Sequence, residues 1–163
     1  MKFIIKQKLF SIRDKYIVEN EEGQKLYKVE GSLMSLGKKF RMYDTYDREV
    51  VYIKEKIIKI VPKYYINING NDVAIVKKQV SFIKPVFLVE SVIGNYEVKG
   101  DIFHYNFYIQ KQGKKIAIVK KRLLSIKDCY EVNIKDGESQ ILILAIVIII
   151  DEVIHNNKNK EED

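Results

Sequence analysis

Apolar and polar residues alternate in short runs through most of this chain, and then the alternation stops. From Ile141 to Ile150 ten consecutive residues are apolar, the longest such run in the sequence. Upstream, an aromatic residue opens a short β-like segment every 20 to 24 residues, at Tyr16, Phe40, Tyr64, Phe87, Phe107 and Tyr130. Turn chemistry follows most of them within six or seven residues, at Gly23, Asp47, Gly70-Asn71, Gly94-Asn95 and Gly113. A second β-rich run comes next: Leu26 to Val29, Val50 to Ile53, Val73 to Val76, Tyr96 to Val98 and Ile116 to Val119. Such runs, separated by Gly, Asn and Asp, predict hairpins. The steady period predicts one supersecondary unit used several times.

Two verbatim or near-verbatim echoes support the repeat. Ala74-Ile75-Val76-Lys77-Lys78 recurs as Ala117-Ile118-Val119-Lys120-Lys121, and Tyr27-Lys28-Val29-Glu30-Gly31 is matched by Tyr96-Glu97-Val98-Lys99-Gly100. The first half of the sheet is therefore expected to be partly duplicated in the second. The count comes to about twelve strands joined mostly by short turns, which predicts an antiparallel meander. A sheet of that size curls, and closure removes its edges. Within Ile102 to Ile109 the period-two rule places Phe103, Tyr105, Phe107 and Ile109 on the inward face. Pro85 predicts an edge or a break in the run Val80 to Val89, and Pro62 a separation between Ile57 to Val61 and the next strand.

The apolar run poses a conflict. Seven of its ten residues are β-branched, which favours a strand, yet the run is long for a strand and continues into Asp151-Glu152-Val153-Ile154 with helical spacing. Asp136 and Ser139 are suitable N-caps, Glu138 suits the positive end of the dipole, and Asn156-Asn157 marks a stop. A run without a polar face must be covered on all sides. The expected structure is a mostly β fold, a closed antiparallel barrel of about twelve strands wrapped around one buried C-terminal helix at about 137–155. The barrel takes up residues 1–156 as one domain, with a polar, frayed tail at 157–163.

The chain's 163 residues suit such a domain. The single cysteine, Cys129, excludes an internal disulfide and fits a reducing cytoplasm. The start, MKFIIKQKLF, has no signal-peptide pattern. The apolar run is about half the length needed to cross a bilayer, so no transmembrane span is expected. A net charge of +7 invites an anionic partner, but only Arg13, Arg41, Arg48 and Arg122 are arginines among 29 basic residues. Lysine acts as a point charge where arginine would give bidentate contacts.

With Tyr27-Lys28-Val29-Glu30-Gly31, the hairpin pattern through Val50 to Tyr65, Gly113 to Lys121, and the ending Tyr130-Glu131-Val132, Asp136-Gly137-Glu138 and an apolar run closed by Asp151, the chain resembles the LURP-one-related family. That family is similar in fold to the tubby C-terminal domain and the phospholipid scramblases. The resemblance implies a barrel of about twelve strands threaded by one hydrophobic helix. Tubby domains bind phosphatidylinositol bisphosphate, so it also raises anionic lipid as a ligand, although no headgroup-binding residue carries over by position.

Catalytic chemistry is not visible. His104 and His155 stand far apart, with Asp151 one turn before His155, and no D-x-[DN]-x-[DN]-G loop occurs. Cys129 is expected in a strand where burial raises its pKa. Neither a nucleophile elbow nor a phosphate loop is present. No metal, no cofactor and no catalytic residue are therefore expected. The basic clusters are the positive signal: Lys77 and Lys78, Lys114 and Lys115, and Lys120, Lys121 and Arg122. The first and last end equivalent strands of the repeat, so a common rim is expected, with Lys114 and Lys115 at the turn feeding it. The bland alternative is a solvated strand end.

The expected function is thus a non-enzymatic binding or scaffold module, docking to anionic phospholipid or phosphoinositide headgroups, or else to a protein partner. The expected location is cytoplasmic, peripheral at the inner membrane face if lipid binds, and the expected state is a monomer. Nucleic acid is a weaker alternative, because the aromatics beside the lysines are needed for the core and no RNP or helix-turn-helix pattern occurs.

Overall fold

A computed structural model describes residues 1–8, 14–34, 37–58, 61–79, 85–122 and 129–161. Twelve strands run in sequence order: β1 Lys2–Gln7, β2 Asp14–Glu19, β3 Lys25–Met34, β4 Gly37–Tyr43, β5 Glu49–Ile58, β6 Val61–Ile68, β7 Asn71–Gln79, β8 Val86–Ser91, β9 Tyr96–Asp101, β10 Asn106–Lys111, β11 Lys114–Lys121 and β12 Cys129–Ile134. Each pairs antiparallel with its sequence neighbours, and β1 pairs with β12 to close the barrel. The helix α1, Gln140–Glu161, follows.

The six periodic aromatics are the clearest link from sequence to packing. Tyr16, Phe40, Tyr64, Phe87, Phe107 and Tyr130 fall one on each even-numbered strand, near its start, and all six are buried. They point inward and line one level of the wall around the helix. The turn residues hold the predicted places as well. Asp47, Asn69 and Gln112 adopt positive φ at the hairpin tips, the last two beside Gly70 and Gly113, the backbone that tight hairpins require.

Inside the barrel, every side chain from Leu142 to Ile154 is buried. The β-branched run becomes a helix for a reason its propensity does not contain. A closed barrel has no free edge, so a central segment finds no strand to pair with. It must satisfy its own N–H and C=O groups, and only a helix does so. Ser139 is the N-cap, its carbonyl accepting the Ile143 N–H at 3.1 Å.

Several expectations change. The helix starts at Gln140 rather than 137, because Gly137 sits in a turn at φ 84°. It also runs past Asn156-Asn157 to Glu161, so 157–161 are helical rather than frayed. Elongating an existing helix adds one bond per residue fixed, and no Gly or Pro intervenes. Phe103 is not inward. Residues 102–105 form the turn between β9 and β10, which resets the alternation, burying Ile102 and Tyr105 and leaving Phe103 43% exposed. Pro62 lies inside β6, opposite Ile57, near the strand start. Pro85 directly precedes β8, and closure leaves no edge strand. The echoes relate β7 to β11 and β3 to β9. Those offsets are four and six strands, so the repeating unit is the hairpin and not half the sheet. The predicted segment Val80 to Lys84 lies outside the described residues.

Candidate functional site

Antiparallel pairing gives the barrel two distinct ends. The helix begins at the end where odd-numbered strands start, called lower here, and finishes at the upper end, where they stop. At the lower end the Met1 ammonium donates to the Ile134 carbonyl at 2.7 Å and lies 3.5 Å from Asp136. The lower turns and strand starts also carry Asp44, Asp47 and Asp72.

At the upper end the helix finishes in a polar network. Tyr16 OH donates to Asp151 Oδ2 at 2.5 Å. His155 stands one helical turn on, with Nδ1 3.7 Å from Asp151 Oδ1 and 3.5 Å from Tyr105 OH, and with Nε2 3.3 Å from Gln7 Nε2. Tyr105 stacks on Tyr130 at 4.4 Å. Next to this group, the Lys38 ammonium pairs with Glu152, while Glu55 accepts from the Lys38 N–H and Tyr64 OH, both at 2.9 Å. Gly37 allows that approach. Its φ is 110°, and a Cβ there would lie 2.7 Å from the Glu55 carbonyl oxygen.

Burial drives the electrostatics of this network. It raises the Asp151 carboxyl pKa, because desolvation outweighs its hydrogen bonds to the tyrosines and its attraction to His155. It also raises the pKa values of Tyr16, Tyr64 and Tyr130, so these phenols stay neutral, and Tyr16 and Tyr64 donate. The network closes the top of the core and ties α1 to β1, β2, β12 and the β9–β10 turn. Cys129 is buried and its thiol pKa is raised by that burial, which keeps it a poor nucleophile. His104 pairs with Asp101 at 2.9 Å on the surface. Among the described residues, no group of His, Cys, Asp and Glu side chains could hold a metal ion.

The predicted basic residues separate. Lys77, Lys78, Lys120, Lys121 and Arg122 all stand at the upper end. Lys114 and Lys115 do not, because they open β11 at the lower end, roughly 25 Å along the strand from Lys121. A turn adjacent in sequence to one end of a strand is remote from the other end. The two upper groups are also four strands apart, about 20 Å around the wall. Lys120 lies opposite Glu131, and Lys121 covers the Tyr105 ring at 5.6 Å. Lys78 has inward parity, opposite buried Phe87. The seven residues thus form no single patch.

A different patch appears on the outer face of β4–β7. Register places Lys39 opposite Lys54, Lys56 opposite Lys63, and Lys63 opposite Lys77. All five alternate with inward core residues and so point outward. Tyr52 and Tyr65 lie among them, with Arg41 5.1 Å over the Tyr52 ring and Lys56 4.5 Å over Tyr65. Glu49 reaches Arg41 at 3.1 Å, and Glu90 reaches Lys77 at 2.6 Å. Like charges directly opposite each other destabilise a sheet, so this face carries a standing electrostatic cost. Lys39, Lys54, Lys56 and Lys63 escaped the sequence reading because they come from three separate strands and form a cluster only across the register. Their outward parity was legible, but their mutual opposition depends on register.

Comparison with known proteins agrees with this architecture. The chain is 32% identical over 160 residues to YxjI, an uncharacterised protein of Bacillus subtilis (strain 168), covering 98% of each chain. It is similar in fold to the crystal structure of an Arabidopsis thaliana protein, with a TM-score of 0.69 at 15% identity, covering 93% of this chain and 91% of that one. Among the described residues no helix is long and apolar enough to cross a membrane. The LURP-one-related family model matches residues 1–151, and on that match, with the closed barrel around its helix, the chain belongs to the LURP-one-related family.

Proposed function

We propose that this chain is a non-enzymatic binding module that docks to an anionic phospholipid surface through the outer face of β4–β7. One observation carries the reading: the three directly opposed lysine pairs, Lys39 with Lys54 and Lys63 with both Lys56 and Lys77. An external anion turns that repulsion into attraction. Each lysine held near an anionic membrane contributes about 1 kcal/mol, so Lys54, Lys56 and Lys63 supply roughly 3 kcal/mol, weakened by salt. Lysine suits this role, since headgroups on a fluid surface demand charge rather than bidentate geometry. The reading implies a cytoplasmic protein, peripheral at the inner membrane face.

Co-sedimentation with phosphatidylcholine vesicles, with and without phosphatidylserine or phosphoinositide, tests it. The expected result is salt-sensitive binding to anionic vesicles only. Changing Lys54, Lys56, Lys63 and Lys77 together to Ser is expected to abolish it, while Lys114→Ser with Lys115→Ser leaves it intact. Equal binding by the fourfold variant would remove this face from the function. Absence of vesicle binding, with a partner protein recovered instead, would favour the scaffold reading.

A further inference from the structure

A bulge interrupts β11 near its lower end. Ile109 stands opposite Ala117 and Gln110 opposite Lys115, so Ile116 has no partner on β10. An extra residue in one strand shifts the alternation and re-aims the side chains beyond it. Without it, Lys115 would share the inward parity of buried Ala117. With it, Lys115 turns outward and covers the Tyr108 ring at 4.3 Å. Ile118 also points outward, opposite Tyr108 on β10 and Asn133 on β12, and is 41% exposed. A groove of about 240 Å³ lies here, along the lower ends of β11 and β12. Ile116, Ile118, Ile134 and Met1 make its lining apolar, and Lys115 and Lys135 supply one cation from each strand's side. Among the described residues no carboxylate pairs with either lysine. Asp136, the next residue, lies 3.5 Å from the Met1 ammonium instead. The turns that flank the groove, 111–114 and 135–139, are described throughout and contribute only Lys135 to its lining.

An apolar hollow between two cations without carboxylates fits an apolar group flanked by negative charge. Its volume decides between the sources of that chemistry. Sites for whole small molecules run to about 300–1,000 Å³, so a hollow of this size holds one anchor side chain rather than a lipid chain. Protein interfaces concentrate their energy in such anchors, seated in small apolar pockets within a polar rim. We infer that the β11–β12 groove receives an acidic segment of a partner protein. One apolar side chain of that segment sits against Ile116, Ile118 and Ile134, and the carboxylates beside it pair with Lys115 and Lys135. Around the closed wall β11 is six strands from β5, and β12 is six from β6. The groove and the lysine face thus lie on opposite sides of the barrel and can be engaged together. The inference goes beyond the lipid reading and does not depend on it.

The experiment pans a display library of random short peptides against the whole protein and measures the enriched sequences by fluorescence anisotropy. They are expected to carry a large apolar residue between Asp or Glu residues, and to bind more weakly as salt rises. Ile118→Ser is expected to lower their affinity about tenfold, the scale of a truncated anchor contact. Lys115→Glu combined with Lys135→Glu is expected to abolish binding. Ile118, Lys115 and Lys135 are all exposed, so circular dichroism is expected to show an unchanged fold in both variants. Changing Lys54, Lys56, Lys63 and Lys77 together to Ser is expected to leave peptide binding intact, since those side chains lie across the barrel. Failure to enrich any peptide, enrichment of peptides without carboxylates, or equal binding by both groove variants would overturn the inference. Myristate serves as the acyl-chain probe: if it binds the groove and no acidic peptide does, the occupant is a lipid and the partner segment is ruled out. Peptide binding without vesicle binding would end the lipid reading and leave the groove standing.

Discussion

On the inner face of β4–β7, Glu55 accepts hydrogen bonds from Tyr64 OH and the Lys38 N–H, and the Lys38 ammonium pairs with Glu152 of the helix. On the outer face of the same strands, lysine meets lysine across three registers. The same backbone positions both sets. Inside, a charge without a partner costs several kcal/mol, so these charges are matched. Outside, water screens each opposition to a fraction of a kcal/mol, so opposed lysines are tolerated there, with Lys77 offset by Glu90 at 2.6 Å. Inside, the charged groups are held by buried hydrogen bonds and one ion pair; outside, lysines stand opposite one another at the candidate site.

The comparison can be broken from the inside first. Ile146 is fully buried in the middle of α1, and Ile146→Asp would place a carboxylate where no partner exists. A loss of more than about 4 kcal/mol is expected, enough to abolish cooperative unfolding in urea. A soluble, cooperatively folding variant would contradict the buried-helix account.

A smaller inner effect comes from Asp151, 2% exposed and with its pKa raised by burial. A carboxyl with a higher pKa in the folded state holds its proton more tightly there than in the unfolded chain. Stability conferred by this group is therefore greatest below the ordinary carboxylate range. It falls as pH rises from that range through the raised value, and is level above it. Asp151→Asn keeps a neutral group and removes the slope. Melting temperatures of both proteins across mildly acid to neutral pH are expected to converge at low pH, with the wild type falling below the variant as pH rises. Parallel curves would show that Asp151 ionises without cost.

The outer face predicts the smallest effect, of opposite sign. Lys63 stands between Lys56 and Lys77, so Lys63→Glu replaces two repulsions with two attractions. A gain of about 0.5–1 kcal/mol in stability is expected at low salt, fading at high salt, together with weaker binding to anionic vesicles. Stability and binding moving in opposite directions at one residue would separate a functional surface from a merely solvated one. A variant that loses both would place Lys63 in the structural network instead.

Much of this fold was legible before any coordinates, because its signals are local. The aromatic period marked all six even-numbered strands, and the Gly, Asn and Asp positions marked the hairpin tips. Within Ile102 to Ile109, parity placed Phe107 and Ile109 inward, and both are buried. It failed at Phe103, where a four-residue turn carries no parity. The helix was legible as a segment to be buried and ambiguous as a helix, since β-branching argued the other way. Its end was misread because Asn156-Asn157 is only a weak stop.

The candidate site was less legible. Paired lysines in sequence attracted notice at Lys77-Lys78, Lys114-Lys115 and Lys120-Lys121. Neighbours in a strand, however, point to opposite faces, so such pairs split between wall and rim and do not form a patch. By itself the sequence determined the period, the turns and the need to enclose residues 141–150, all of which depend on neighbours along the chain. Tertiary structure alone decided which end of the barrel each turn occupies and which lysines face each other across β4–β7. Those facts depend on register and closure, which bring together residues from separate strands and are set by the packing of the whole barrel around its helix.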